Sequence, residues 1–321
     1  MKQSSLLVKT LVDQNDLELS PITGEIGLSK KITNAEANRP GLALSGFIDG
    51  FSNNRVQILG EAEITYLKSI NSEQRRKSLD QIFALDIPCL VVTKEMKPPS
   101  ELVEIGEKYN TSILSTSLMT DTFLHSFIEY VEPYFAPTNT VHGALVDVYG
   151  VGLLFTGRSG IGKSETALAL VERGHRLVAD DVVTAYRLRR GIIMGTSNTV
   201  TQHFMEIRGV GIIDVTHMFG IQSIRLRKRI EVIVNLEDWN DDGDYERTAL
   251  DEKTTRLLDA DLPHVRIPIN PGKNLTVIAE VVALRYLLKV VGINPASTLN
   301  KRVLEVMKEG ERVRHRREDY E

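Results

Sequence analysis

The sequence predicts an α/β protein of two domains, residues 1–132 and 133–321, with a phosphate-binding loop in the second and helices at its C-terminal end. Three observations lead there. Short apolar, strand-like runs alternate with helical patterns along the first 132 residues. The stretch Phe135-Ala136-Pro137-Thr138-Asn139 combines a proline with small polar residues after a helical pattern, and reads as a linker. Beyond it, an apolar run over 151–155, the segment Gly157-Arg158-Ser159-Gly160-Ile161-Gly162-Lys163-Ser164 and a helical pattern over 165–173 give strand, glycine loop and helix in that order.

The bulk properties set limits. A chain of 321 residues can bury two cores. Its net charge of −4 offers no strong attraction for nucleic acid or a membrane surface. No stretch approaches the ~18 apolar residues of a spanning helix, and residues 1–6 lack a signal-peptide core. These features point to a cytoplasmic protein with neither nucleic acid nor membrane as partner. The single cysteine, Cys89, lies in the apolar run 87–92, cannot close an intramolecular disulfide, and is expected in the core.

In the first domain, residues 56–60 read as a strand and 61–70 as a helix with Ile64 and Leu67 at helical spacing. A charged helix over 74–83 precedes the strand 87–92. Pro98, Pro99 and Ser100 open a helix over 101–109, and a third strand follows at 112–114. Residues 120–132 form an amphipathic helix with Phe123, Phe127, Ile128 and Val131 inward. No catalytic constellation is visible here. Arg39, in a turn with Pro40 and Gly41, reads as a solvated or structural charge.

In the second domain, strands 144–148 and 152–155 joined by Tyr149-Gly150 form a hairpin that leads the chain into the glycine loop. That antiparallel arrangement is unusual for a nucleotide-binding parallel sheet. The loop glycines let backbone N–H groups turn toward phosphate oxygens at the positive end of a helix dipole. Lys163 supplies charge to the β/γ-phosphates and Ser164 a hydroxyl for Mg²⁺. Ala167, Leu168 and Val171 share the inner face of the helix, which Gly174 ends. Residues 176–181 then run from apolar residues into Asp180 and Asp181. Adjacent strand residues point to opposite faces, so one carboxylate can face the loop while the other turns away.

Residues 182–188 and 191–195 read as a hairpin. In 205–214, Glu206 and Arg208 are two apart and share a face if the strand is extended, placing a metal-facing carboxylate beside a phosphate-facing guanidinium. A cationic run 225–229, a core strand 230–236, an acidic loop 238–247 and a turn-rich loop 268–274 follow. The helix 275–291 is expected to bury Val277, Val281, Leu284 and Leu288. A last helix, from 297 to about 309, leads into a basic tail, 312–317, read as solvated and mobile.

These motifs carry a resemblance. The segment from Gly157 through Lys163-Ser164-Glu165-Thr166-Ala167, followed by Arg173-Gly174-His175-Arg176-Leu177-Val178-Ala179-Asp180-Asp181, resembles the pattern of the HPr kinase/phosphorylase family. Glu206-Ile207-Arg208-Gly209-Val210-Gly211-Ile212-Ile213 is similar to its second signature. Weaker matches lie at Asn38-Arg39-Pro40-Gly41 and Ile58-Leu59-Gly60-Glu61-Ala62-Glu63. The resemblance implies a bifunctional enzyme that phosphorylates a serine of the phosphocarrier HPr from ATP or pyrophosphate. It also implies the reverse, phosphorolysis of phospho-HPr by phosphate with release of pyrophosphate. A homohexamer is implied, with catalysis in a C-terminal P-loop kinase domain related to phosphoenolpyruvate carboxykinase.

Carried over residue by residue, His142 matches the histidine upstream of the loop and Lys163 the loop lysine. Ser164 and Glu206 match the Mg²⁺ positions. Asp181 matches the proton acceptor, with Asp180 beside it. Arg247 matches an arginine serving both reactions. One departure stands out: the family's Arg-Pro-Gly-Arg-Asn loop, tied to dephosphorylation, is here Asn270-Pro271-Gly272-Lys273-Asn274. Losing two guanidinium groups removes bidentate phosphate recognition and implies weaker phosphorolysis. A nucleotide-sensing module that transfers nothing and a small-molecule kinase are the competing readings.

Overall fold

The protein, described from a computed structural model, is defined over residues 5–240, 253–270 and 272–318, with side chains defined to 307 except at 296. It divides into two compact units, Met1–Pro137 and Thr138–Glu321.

The first unit is built on five strands: β1 (Leu19–Pro21), β2 (Ala37–Asn38), β3 (Val56–Leu59), β4 (Cys89–Val92) and β5 (Ser112–Thr116). Their order is β1-β5-β4-β3-β2, with β1 antiparallel and the others parallel. Parallel strands covered on both faces need unbroken apolar runs, and alternation then divides each strand between two cores. Ile58, Cys89 and Val91 pack with Phe123, Phe127 and Val131 of helix α4 (Thr120–Phe135). Leu59, Leu90 and Val92 pack on the other face with α1 (Glu61–Ser69), α2 (Ser72–Phe83) and α3 (Ser100–Lys108). Cys89 is fully buried, and burial pushes its thiol up to about 12. Helix α2 starts two residues before the pattern suggests because Asn71 caps it, accepting from the Gln74 N–H at 2.9 Å. Arg39 is structural: its guanidinium forks onto the buried Glu63 carboxylate, which also accepts from Gly60 N–H.

The expected linker at 135–139 is shorter than its composition suggests. Helix α4 continues through Phe135 with Pro133 inside it, and strand β6 (Thr138–His142) resumes two residues after Ala136.

The second unit stacks two sheets. Six strands take the order β9 (Arg176–Ala179), β7 (Ala144–Val148), β8 (Val151–Thr156), β15 (Val232–Asp238), β17 (Ala260–Ile269), β16 (Thr254–Leu257). Four more take the order β14 (Arg227–Arg229), β11 (Ile193–Thr196), β10 (Val182–Arg187), β6. A hairpin, β12 (Phe204–Ile207) with β13 (Gly211–Asp214), stands apart and is followed by the short helix α6 (Val215–Phe219). Only β8, β15 and β17 run parallel in the larger sheet. The β7–β8 hairpin is as the sequence predicts, with both turn residues, Tyr149 and Gly150, at positive φ. Leu153 and Phe155 face α5 (Lys163–Glu172) and the small residues Ala279 and Ala283 of α7 (Leu275–Val290); Leu154 faces the second sheet. The chain changes sheets at Gly143, where a Cβ would lie 2.3 Å from the Phe155 carbonyl oxygen.

Two expectations fail at the C-terminal end. Val277, Val281, Leu284 and Leu288 of α7 are exposed, Val281 by 55%. The buried face is Thr276, Ala279, Glu280 and Ala283, whose small side chains let the helix lie close against β8 and α5. And α8 runs from Pro295 to Glu318, so the backbone of the basic run 312–317 continues a helix.

Candidate active site

The parallel trio β8, β15 and β17 sends three C-terminal strand ends to one place. The first carries the phosphate loop. Gly157, Gly160 and Gly162 all have positive φ, and a Cβ on Gly157 would lie 2.3 Å from the Leu236 carbonyl oxygen. Helix α5 starts at Lys163, two residues earlier than the apolar pattern alone indicates, so Lys163 and Ser164 occupy its first turn. Lys163 Nζ folds back over the loop and donates to the carbonyls of Gly157 (3.1 Å) and Arg158 (2.9 Å).

Arg158 does not point freely at a ligand. Its guanidinium forks onto Asp238 at 2.6 and 2.7 Å, at the end of β15, which holds that carboxyl below its ordinary range. Sequence reasoning missed Asp238 because it opens an acidic stretch that reads as loop; its signal was the same apolar-run-to-aspartate pattern seen at 176–181. Trp239 follows, with Lys273 Nζ 5.1 Å from its ring centre.

Asp180 and Asp181 are not consecutive strand residues. Strand β9 ends at Ala179, and Asp181 adopts a left-handed backbone with φ 62°. Asp180 is buried, 6% exposed, and its Oδ1 accepts the Ser164 hydroxyl at 2.9 Å. Its Oδ2 is buried without a partner among the described residues. Burial raises the Asp180 carboxyl to about 6, against the Ser164 hydroxyl and the backbone amides of Asp181 and Glu206, which favour the charged form. Asp181 is exposed, and its carbonyl accepts the Gly143 N–H at 3.0 Å. His142 pairs with Val182 across β6 and β10, which brings the histidine beside the aspartates.

Glu206 lies in β12, exposed, with its backbone at Asp180. Arg208 is not on that strand. The strand stops at Ile207, and Arg208 sits in the following turn and reaches the phosphate loop, where it donates to Ser159 Oγ at 3.3 Å. It also packs on Gly160, whose Cβ would lie 2.3 Å from the guanidinium. Arg247 lies outside the described residues, as does Pro271 in the loop 270–274. So His142, Lys163, Ser164, Asp180, Asp181 and Glu206 come together, joined by Arg208 and Asp238.

Behind the loop, Glu280 of α7 is a buried junction. It accepts a fork from Arg173 at 2.7 and 2.8 Å, lies 3.1 Å from His175 Nε2, and is approached by the Tyr149 hydroxyl. Arg173 and His175 follow the end of α5, so this cluster ties α5 to α7.

A glycine loop on a helix N-terminus, with a carboxylate bonded to the loop serine, defines a nucleotide-dependent phosphotransferase centre. Comparison with known proteins specifies which kind. The family model for the HPr serine kinase C-terminal domain matches residues 133–303, and that for the HPr serine kinase N terminus matches 6–131. The chain is 40% identical over 306 residues to an HPr kinase/phosphorylase of Leptospira biflexa, covering 94% of this chain and 95% of the relative. It is 41% identical over 298 residues to one of Caldanaerobacter subterraneus, covering 93% and 97%. A solved structure of the Hpr(Ser) kinase/phosphatase from Coxiella burnetii aligns at TM-score 0.45 and 31% identity, over 48% of this chain and 93% of that one. The chain belongs to the HPr kinase/phosphorylase family and is an enzyme of that family. Among the described residues no helix is long and apolar enough to cross a membrane.

Proposed function

We propose that the protein transfers the γ-phosphoryl group of ATP to a serine of the phosphocarrier HPr, and runs phosphorolysis of phospho-HPr, releasing pyrophosphate, in reverse. The observation that carries this reading is the carboxylate pair beside the phosphate loop: Asp180 buried and bonded to the Ser164 hydroxyl, with Asp181 exposed next to it. A binding module has no use for such a group, and a proton-transfer step does.

The residue assignments are part of the proposal, and the geometry supports them. The phosphates are cradled by Gly157, Arg158, Ser159, Gly160, Ile161, Gly162, Lys163 and Ser164, with Lys163 exchanging its loop carbonyls for phosphate oxygens. The proton acceptor is Asp181, the exposed member of the aspartate pair, which lies beside His142. It takes the proton of the attacking serine hydroxyl, while the buried Asp180 stays with Ser164 through Oδ1. In phosphorolysis the protonated Asp181 returns that proton to the leaving serine oxygen. Ser164, with Glu206 nearby, offers the few oxygen donors that suit Mg²⁺, which relies on phosphates and water for the rest of its shell. When bound there, the ion neutralises charge on the transferred phosphoryl group. Arg247 is assigned the same task from outside the described region.

With Asn270 and Lys273 in the loop before α7, phosphorolysis runs more slowly than phosphorylation. The exposed apolar stripe of α7 supports assembly of a homohexamer, because a face of this kind is stable when covered by another chain. The protein acts in the cytoplasm.

Incubation with γ-labelled ATP and either HPr or candidate metabolites tests the reading. Label on a serine of HPr is the expected result. Nucleotide binding without transfer would leave a sensing module, and label on a metabolite alone would leave a small-molecule kinase.

A further inference from the structure

Beside the phosphate loop lies a cleft of about 480 Å³. One wall is the flank of α5, with Gly162, Glu165 and Ala169; the other is the segment leading into α7, with Lys273, Asn274 and Thr276. Of these residues Gly162 belongs to the phosphate cradle and Lys273 to the loop before α7, and the others have no role in the transfer chemistry. We infer that this cleft holds the nucleoside of ATP, so that the base and sugar lie between α5 and the start of α7 while the phosphates lie on the loop.

The inference rests on the reading that residues 157–164 bind the phosphates, and four observations extend it. The cleft begins at Gly162, the last glycine of the loop, so a ligand can continue from one to the other without crossing protein. Its volume falls within the roughly 300–1,000 Å³ of small-molecule sites, well beyond what a phosphate group alone would fill. Its walls also suit a nucleoside. Ala169 presents a methyl group on the α5 side, and Leu275 adds apolar surface opposite. Asn274 caps α7 through Oδ1, which accepts from Val277 N–H at 3.2 Å. Its side-chain N–H groups remain donors for a base edge. Glu165 is exposed in the first turn of α5 and offers a carboxylate for sugar hydroxyls, the partner acidic side chains commonly take beside ribose. Finally, one turn further along both helices, the Glu280–Arg173 fork pins α5 to α7, so the width of the cleft is fixed by a buried junction.

The consequence is a division of labour. The loop recognises polyphosphate, and the cleft distinguishes a nucleotide from a bare polyphosphate.

The test fills the cleft without touching the loop. Ala169→Phe and the milder Ala169→Leu are made in the full chain, and binding of ATP, ADP and inorganic tripolyphosphate is measured by calorimetry with Mg²⁺. Melting curves identify whichever variant keeps the wild-type fold. The expected result is a rise of about tenfold or more in Kd for ATP and ADP, equal to a loss of ~1.4 kcal/mol, with tripolyphosphate unchanged. Unchanged affinity for all three ligands overturns the inference, as does an equal loss for all three. A higher KM for HPr with unchanged ATP binding would assign the cleft to the protein substrate and overturn it too. Failure of the wild-type protein to bind either ATP or tripolyphosphate would instead remove the phosphate-loop reading beneath it.

Discussion

Replacing Asp180 by asparagine should make the protein more stable and far less active. The carboxyl is 6% exposed and sits at about 6, some two units above its ordinary value. A carboxylate held that high penalises the folded state at neutral pH by up to ~3 kcal/mol. Asparagine has nearly the same shape and keeps an Oδ1 to accept the Ser164 hydroxyl, but carries no charge to desolvate. The sign follows from the linkage. Above about pH 6 the group is charged in both states and the penalty is complete; below about pH 4 it is neutral in both and the penalty is gone. The variant's advantage should therefore appear between pH ~4 and ~6 and persist at higher pH. In EDTA without nucleotide, the transition of the C-terminal unit should rise by roughly 2–10 °C at pH 7. Phosphoryl transfer to HPr should fall by ~10²–10³, the usual cost of removing one preorganised electrostatic group beside the reacting centre. Affinity for Mg²⁺-ATP should stay within about threefold, since the lost interaction belongs to the transition state. Transfer near the wild-type rate, or a less stable variant, would refute the argument. A parallel collapse of Mg²⁺-ATP affinity would assign Asp180 to holding the metal instead.

Four further outcomes follow from the packing. Gly157→Ala, which must place a Cβ 2.3 Å from the Leu236 carbonyl oxygen at φ 137°, should cost at least ~2 kcal/mol in a thermal melt and abolish ATP binding. Glu101, held at about 2 by the Ser72 hydroxyl, its own backbone amide and the Arg75 fork, stabilises the first unit above about pH 4.5 and ceases to as pH falls toward 2. Urea titrations of Glu101→Gln should thus show a deficit of ~1–3 kcal/mol at pH 7 that closes in acid. Restoring both guanidinium groups, with Asn270→Arg and Lys273→Arg, should raise pyrophosphate release from phospho-HPr by ~10–100-fold relative to the kinase rate. Leu284→Glu with Val281→Glu should lower the assembly state in sedimentation while changing protomer stability by no more than ~0.5 kcal/mol per site.

Much of the fold was legible because its signals were local. Glycines at 157, 160 and 162 between a strand and a helix have few other uses, and the two-residue Tyr149-Gly150 turn fixes the hairpin. The unbroken apolar runs of the first unit mark strands covered on both faces. The rest depended on information that spacing does not carry. Alternation could not separate Asp180 from Asp181, because the left-handed backbone at Asp181 ends the strand one residue too soon for the rule to apply. Arg208 left the face of Glu206 for a similar reason, a turn beginning at its own position. Helix α7 has apolar residues at helical spacing on both faces, and close packing selected the small ones, Ala279 and Ala283, over the larger valines and leucines. Hydrophobicity found the helix; size decided which side was inside.

The junction at Glu280 bears on how such an enzyme can change. The separation of α5 and α7 is set by a salt link, a histidine and a tyrosine that lie away from the reacting groups. Asn274 of the segment before α7 caps that helix, but the side chains at 270 and 273 take no part in the junction. Asparagine and lysine can stand at 270 and 273 without the phosphate loop moving. Two reactions that share one protein substrate but draw on different co-substrates, ATP in one and phosphate in the other, can in this way be tuned apart by substitution.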